Sequence, residues 1–278
     1  MSTSSGSSSS EGAGTGTVTP IEVSYPDAGD LHVRIAEGAC RLKVAPGTGT
    51  SDAWISGTHR DPSGLRPLHV SKQGGAVTLT EQPTTSGMWD WLRSGHGIPD
   101  VPTIEVAFGK GKPFRLTVEI GASENRLDLG GVPISRLALR HGAGKTVLDF
   151  SAPNPQPMTL MEIGAGAGST ELRNLANAHC AELLIEGGMA SYTLDFGGTL
   201  QQDGHARITA ALSSVEITVP ASTAAKIATD TQLGHIEPGE GFTVRDGAFW
   251  TPAAVEGRTP VLTVSANVTM GSLRLHTS

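Results

Sequence analysis

The chain has 278 residues, including 36 glycines and 17 prolines, with 17% charged and 4% aromatic residues. Average proteins contain roughly 7% glycine and about a quarter charged residues, so glycine is nearly doubled here and charge is depleted. The composition excludes a coiled coil, which needs charge-rich heptads, and collagen, which needs glycine at every third position. A hydrophobic content of 37% at a net charge of −7 supports a folded core and excludes disorder along the whole length.

The acidic balance and the absence of a basic run argue against a nucleic-acid partner, whose phosphates require clustered Lys and Arg. No run of 18 apolar residues occurs, so the sequence predicts no transmembrane segment.

Residues 1–19 are rich in Ser, Gly and Thr, and we expect them to form a flexible, disordered tether. They lack the basic and apolar regions of a signal peptide. Two interpretations stay open. If an anchor or signal has been removed from this end, the protein belongs outside the cytoplasm at the cell envelope; if the stretch is an ordinary disordered N-terminus, the protein is cytoplasmic.

The chain repeats itself from residue 113 onward. Aliphatic residues recur at spacings of 21, 24, 22 and 23, and nine residues after each of them stands another aliphatic residue. The first set is Val118, Leu139, Ile163, Ile185 and Ile208, and the second set is Leu127, Leu148, Leu172, Leu194 and Ile217. Between them, three residues after the first set, stand Gly121, Gly142, Gly166, Gly188 and Ala211.

Each unit therefore reads as apolar-x-apolar, a glycine corner, and apolar-x-apolar again. Period-2 alternation indicates strands, and a near-constant period favours coils stacked in register over separate hairpins. The template also fits Leu31 to Val44 and Leu262 to Leu275, and Leu68 and Val70 face Val77 and Leu79 across Gly74 and Gly75. The sequence predicts an all-β solenoid with coils of about 21–24 residues.

We divide the chain into the tether at 1–19, an N-terminal β region at 20–112 that is continuous with the solenoid, and a repeat domain at 113–278 with a C-terminal cap. Because a coil cannot stand alone, both ends of a solenoid need covering. The aromatic segments 84–100 and 238–252 are the candidates for these caps.

The repeated strings LTVEIGASENRLDLGG, LALRHGAGKTVLDFS, MEIGAGAGSTELRNL and LIEGGMASYTLDFGG resemble the toast-rack domain. This domain is related to the C-terminal part of LiaF-type cell-wall-stress regulators and to the putative-adhesin β-solenoid families. The resemblance implies a right-handed, single-stranded β-helix-like fold and brings no catalytic residues. The chain lacks the transmembrane helices of those regulators.

Two glycine-rich stretches imitate nucleotide loops. The stretch 140–146 ends like a P-loop but has Leu139 where the motif needs its first glycine, and 163–170 has Ser169 where a dinucleotide fingerprint needs its last. Both align with strand–glycine–strand units, so no cofactor is expected. No helix at 170–186, which a dinucleotide site would need, is predicted.

The other polar residues give no compact site. Asp128, Asp149 and Asp195 hold equivalent places in three coils and form either an acidic ladder or an outward-facing row; whether they bind anything stays open. Histidines have no metal-ligand spacing, and His141 and His235 fall at corners, where we expect solvent exposure. Cys40 and Cys180 are expected to be small buried hydrophobes. No catalytic, cofactor-binding or metal residue is predicted.

Trp89, Trp91 and Arg93 form the candidate interaction surface, since Trp and Arg are favoured anchors in interfaces. The alternative is that they pack over an open end of the solenoid. We expect a non-enzymatic, envelope-associated binding or scaffold module of adhesin type, with an unidentified protein or surface polymer as partner. A regulatory module of a cell-wall-stress response that acts by protein–protein contact is the first alternative. An enzyme or ligand carrier with a site assembled across coils is the second.

Overall fold

The computed structural model describes residues 16–48, 53–81 and 101–278. These residues form fifteen strands, one 3-10 helix and one short α-helix. The strands are β1 (Thr17–Ser24), β2 (His32–Pro46), β3 (Ala53–Asp61), β4 (Leu68–Gln73), β5 (Ala76–Glu81), β6 (Thr103–Phe108), β7 (Phe114–Asp128), β8 (Ile134–Asp149), β9 (Met158–Arg173), β10 (Cys180–Asp195), β11 (Gly204–Val219), β12 (Ala224–Pro238), β13 (Thr243–Arg245), β14 (Ala248–Trp250) and β15 (Val261–Thr277). The 3-10 helix is Leu175–Ala178, and the α-helix, α1, is Pro252–Val255.

Eight long strands stack in parallel, in the order β2, β7, β8, β9, β10, β11, β15 and β12, and confirm the predicted β-solenoid. The alternation of buried residues changes phase near the middle of the repeat strands, as in β7 and β8, which places a bend there and gives each coil two walls. Adjacent strands lie about 4.8 Å apart along the stack.

The register is the one that the repeat predicts. Val118 lies opposite Leu139, and Leu139 lies opposite Ile163. The row continues through Ile185 and Ile208. The second aliphatic set also forms one continuous row, from Leu127 to Ile217. Both rows are buried and form the core between the two walls.

The bend forces glycine at particular positions. A Cβ on Gly142 would lie 2.5 Å from the carbonyl oxygen of Gly121, and a Cβ on Gly166 would lie 2.5 Å from that of Gly142. At Gly144 the φ angle is 126°, and a Cβ there would lie 1.9 Å from the carbonyl oxygen of Ser123. At these three glycines the backbone of the neighbouring coil is so close that no side chain fits.

The order of the last coils differs from their order in the chain. β15 lies between β11 and β12 and pairs in parallel with both. The residues after β12 therefore leave the stack, form the β13–β14 hairpin and α1, and return to place the C-terminal strand in the interior of the stack. The coil that ends the stack is β12, although it precedes β15 in sequence.

Strands that differ from the repeat cover the N-terminal end of the stack. The first half of β2 pairs with β5, and β5 forms an antiparallel hairpin with β4 around Gly74. Val70 lies opposite Leu79, as the sequence predicts, whereas Leu68 lies opposite Glu81. The second half of β2 pairs with β6, and the antiparallel strands β3 and β1 follow outward. β1 begins at Thr17, inside the stretch that the sequence assigns to the tether.

The aromatic segment at the other end lies against β12. β14 pairs antiparallel with Lys226–Ala228, and β13 pairs with β14. Phe242 and Phe249 pack edge to face with ring centroids 6.2 Å apart, and both contact the core. They close the apolar interior at this end.

Candidate functional site

A groove of about 930 Å³ runs along the bend of the coils on the N-terminal side of the stack. Its residues come from the neighbouring strands β2, β7, β8, β9 and β10 and from β5 with the loop before β4. The side chains that matter for its chemistry are Arg34, Glu37, Arg66, Glu81, Arg140 and His141. Corner glycines, including Gly121 and Gly166, line the groove between them.

Arg66 fixes one end of the groove. Its guanidinium forms an ion pair with Glu81 through Nε and Nη2, and Nη2 also donates to the carbonyl oxygen of Ala39 at 2.8 Å. The backbone N–H of Arg66 donates to Asp61 Oδ2 at 2.7 Å, and Ser63 donates to Asp61 Oδ1. The loop that carries Arg66 is therefore held in place by the carboxylate at the end of β3.

Glu37 lies beside this ion pair with only 8% of its surface exposed. Burial, the charge of Glu81 and a hydrogen bond to Glu81 together raise the pKa of Glu37 to about 8, while Arg66 acts in the opposite direction. Glu37 therefore keeps its proton at neutral pH. Its Oε1 atom is buried without a hydrogen-bond partner in the described residues. A buried polar atom left unpaired is costly, and it gives the groove an unused hydrogen-bonding position.

His141 supplies a second unused position. It is 4% exposed, and its Nε2 lies 3.0 Å from Thr170 Oγ1, while Nδ1 has no partner in the described part of the chain. Burial lowers the pKa of His141, so the ring is neutral at pH 7. The expectation of a solvated His141 is wrong, because the bend turns this position inward; His235 is exposed, as expected.

Glu37 and His141 stand two coils apart. Glu37 lies opposite Ile120, and Ile120 lies opposite His141. Two steps of the stack separate them by roughly 10 Å. The groove thus offers hydrogen-bonding groups at intervals along the solenoid axis.

Charged residues on the walls of the groove are largely paired with each other. Arg34 forms an ion pair with Glu119 on the next coil, and Arg140 lies 3.5 Å from Glu162. Glu186 adds a carboxylate on the fifth coil. A surface whose charges are already compensated favours polar, hydrogen-bonding ligands over a single highly charged one.

The predicted interaction surface lies elsewhere. Trp89, Trp91 and Arg93 fall within residues 82–100, outside the described residues, so the prediction that they contact a partner stays a prediction. Among the described residues the structure finds no group of three or more His, Cys, Asp or Glu side chains arranged for a metal ion.

The three equivalent aspartates are half-buried and hold the turns that follow their strands. Asp128 accepts hydrogen bonds from the backbone N–H of Gly130 and from Ser151 Oγ. Asp195 accepts from the backbone N–H of Gly197, and Asp149 accepts from Asn174 Nδ2. These contacts give each aspartate a structural task.

An unbroken acidic ladder does not form. Asp128 lies opposite Asp149, but Asp149 lies opposite Arg173. The positively charged side chain of Arg173, on β9, therefore interrupts the row between Asp149 and Asp195.

The two glycine-rich stretches are strands, as the repeat predicts. Residues 140–146 lie inside β8 and residues 163–170 inside β9. Between 170 and 186 the structure has the end of β9, the 3-10 helix and the start of β10, where a dinucleotide site would need an α-helix.

Both cysteines are free thiols. Cys40 is buried as expected, and Cys180 is half-buried. Burial raises the pKa of each thiol to about 12, so neither forms a thiolate at neutral pH.

Sequence reasoning did not select the residues of the groove, although one signal was available. In the aligned repeat, Glu37 holds the inward place that Ile120 and Ala165 hold in other coils, and His141 holds the same place in β8. A polar residue at a position where the other coils bury an apolar residue does not add to the packing of the core, and it therefore indicates a functional position. Arg66 lies in a loop outside the repeat and carries no such signal.

The described residues contain no helix that is long and apolar enough to span a membrane.

Several solved structures are similar to this chain over most of its length. A structure described as a "putative cell adhesion protein" from Clostridium sporogenes matches with a TM-score of 0.52 at 14% identity, over 95% of this chain and 100% of that chain. A "putative lipid binding protein" from Parabacteroides distasonis matches with a TM-score of 0.43 at 13% identity, over 96% of this chain and 98% of that chain. A "putative adhesin" from Bacteroides fragilis matches with a TM-score of 0.35 at 10% identity, over 94% of this chain and 97% of that chain. At 14% identity the likeness to the Clostridium sporogenes structure concerns the fold alone.

No curated protein matches the sequence. The family model described as "N-terminal domain of toast_rack, DUF2154" matches residues 10–173, which is more than half of the chain. The chain belongs to the toast-rack family.

Proposed function

We propose that this protein is a non-catalytic, envelope-associated binding module of adhesin type, and that the groove along the bend is its binding surface. The observation that carries the proposal is the arrangement of hydrogen-bonding side chains from four of five successive coils along one groove, with two buried polar atoms left without partners among the described residues. The name of the Clostridium sporogenes structure supports adhesion as the function class.

The shape of the groove favours an extended partner. It crosses five coils, so it is about 19 Å long at 4.8 Å per step. A protein segment or a surface polymer that lies along the groove would meet a different set of groups at each step, because equivalent positions carry different side chains, as Glu37, Ile120 and His141 show. Trp89, Trp91 and Arg93 are proposed as a second contact with the same partner.

Sedimentation with isolated cell envelopes of the source bacterium tests this function. The variant Arg140→Glu combined with Glu186→Lys changes two exposed groove residues, and we expect at least a tenfold loss of binding. Arg258→Glu combined with Glu256→Lys exchanges a similar exposed pair outside the groove and serves as the matched control. Equal binding by the groove variant and the wild type would refute the groove as the surface.

Digestion of the envelopes with protease separates the partner classes. Binding that survives digestion indicates a surface polymer and supports adhesion. Binding that is lost indicates a protein partner, and contact with a membrane signalling protein would then support the regulatory alternative.

The buried polar atoms of Glu37 and His141 favour one further candidate, a ligand carrier whose site is assembled across coils. Native mass spectrometry of the protein purified from its own cells tests it. A retained small molecule that the variant His141→Phe loses would support a carrier, and a mass equal to that of the bare chain would count against it.

A further inference from the structure

The side chain at the middle of the bend changes from small to large along the stack. In the first coils its outermost position is alanine, and Ala122, Ala143 and Ala167 lie opposite one another in turn. The same position then becomes large and apolar, because Met189 lies opposite Ala167. The next three strands of the stack, β11, β15 and β12, also carry a large apolar residue at this position.

Four large apolar side chains form a row on the second half of the stack, which we name the apolar ridge: Met189, Leu212, Met270 and Leu233. Leu212 and Leu233 both lie opposite Met270, one on each side of it. Met189 and Leu212 are bracketed by the pairs Gly187–Ala210 and Ser191–Ser214. The four side chains are 65%, 51%, 39% and 75% exposed, in the order of the stack.

The ridge is free of formal charge. None of residues 187–191, 210–214, 268–272 and 231–235 is Asp, Glu, Lys or Arg, whereas the corresponding bends of the first coils contain Glu37, Arg41, Glu124 and Lys145. Its neighbours are Gly, Ala, Ser and Thr with single Val, Gln and His residues. An exposed apolar strip with a polar, uncharged border marks an interaction surface.

The size of the ridge indicates what it contacts. Four partly exposed side chains of this kind offer roughly 400 Å² of apolar surface. A stable protein–protein interface needs about 800 Å² from each partner, so the ridge alone is too small for a second copy or another globular protein. Insertion into a lipid interface has no such minimum, because each side chain transfers into the acyl boundary independently.

The charge of the protein selects the kind of lipid. A chain with a net charge of −7 is repelled by an anionic surface, and the ridge has no Lys or Arg to offset this. The four ridge side chains are already exposed on paired strands, so they can reach a bilayer without loss of any backbone hydrogen bond. We infer that the apolar ridge inserts into the interface of a bilayer with zwitterionic headgroups and holds the solenoid against that surface by its edge.

Flotation with phosphatidylcholine vesicles tests the inference. The wild-type protein should float with the vesicles to the same extent in 0.1 M and 1 M NaCl, because no ion pair is involved. It should bind less to vesicles that contain phosphatidylglycerol. The double variant Leu212→Asn and Leu233→Asn should bind at least tenfold less, and Met189→Gln alone should bind a few-fold less.

The double variant Val18→Asn and Val244→Asn is the matched control, since these residues are 50% and 65% exposed but lie outside the ridge. It should float like the wild type. Circular dichroism of each variant verifies that the fold is retained. Failure of the wild type to float, or equal loss by ridge and control variants, would overturn the inference. A concentration-dependent dimer that only the ridge variant abolishes would overturn it as well, because a second copy would then occupy the ridge.

Discussion

The carboxyl groups of Glu37 and Glu81 are hydrogen-bonded to each other at the junction of β2 and β5, while Arg66 forms its ion pair with Glu81. Glu37 keeps its proton at neutral pH, because burial and the neighbouring Glu81 raise its pKa to about 8. A carboxyl group that is protonated in the folded protein and ionised in the unfolded chain links stability to pH.

Glu37 makes the protein less stable as the pH rises from about 4.5 to about 8. Below this window both states are protonated. Within it the unfolded chain has released the proton and the folded protein retains it, so the free energy of unfolding falls by at most about 1.4 kcal/mol per pH unit. Above pH 8 both states are ionised and the loss from this group is complete.

The variant Glu37→Gln should remove this dependence, because the amide stays neutral and can still donate to Glu81. At pH 8 we expect it to be more stable than the wild type by up to about 4 kcal/mol, because up to about 1.4 kcal/mol is lost per pH unit over this window. At pH 4.5 the two should be nearly equal. Thermal unfolding over this pH range measures the difference, and an unchanged slope in the variant would contradict the assignment.

The bend should tolerate no side chain at Gly144. Gly144→Ala introduces a Cβ that meets the carbonyl oxygen of Ser123 at a φ of 126°, so we expect a loss of about 3 kcal/mol or more. Gly29→Ala is the control, because a Cβ there meets nothing within 4 Å, and its effect should stay within about 0.5 kcal/mol. Chemical denaturation compares them, and similar losses for both would refute the steric account of the corner.

Asp128 should contribute to stability through its turn and not through a metal. Asp128→Ala removes the acceptor for Gly130 N–H and for Ser151 Oγ, so a loss of about 1–2 kcal/mol is expected. Calcium should leave the Tm of wild type and variant unchanged. A calcium-dependent rise that the variant lacks would instead identify the aspartates as ligands.

Trp89 and Trp91 give a test of the interaction surface predicted from sequence. Replacing both by Ala should lower envelope binding about tenfold and leave the Tm within about 2 °C of the wild type, because interface anchors of this kind contribute to binding more than to folding. Arg93→Ala should lower binding less. Unfolding of the double variant at ambient temperature would show instead that the tryptophans cover the end of the solenoid.

The sequence predicted the coils well because the spacing of aliphatic residues along the chain determines the register between neighbouring strands. Val118, Leu139 and Ile163 are aligned by counting, and the structure pairs them as counted. The toast-rack resemblance is likewise confirmed by the family match. The division into a tether, an N-terminal region and a repeat domain stays a prediction.

The candidate site was not predicted, for a physical reason. The groove joins Glu37 and His141 from coils that are far apart in the chain to Arg66 from a loop outside the repeat. Their proximity depends on how β5 and the β3–β4 loop lie against β2, and no local pattern encodes that placement.

The sequence by itself determined the all-β class, the coil length, the glycine corner and the inward rows, because alternation and steric exclusion act over a few residues. Only the tertiary structure decided the order of the coils. β15 follows β12 in the chain yet lies between β11 and β12, and the alternation within a strand, which acts over a few residues, does not encode that order. The hairpin and α1 between β12 and β15 return the C-terminal strand to the interior, and this places Leu212, Met270 and Leu233 side by side on one ridge.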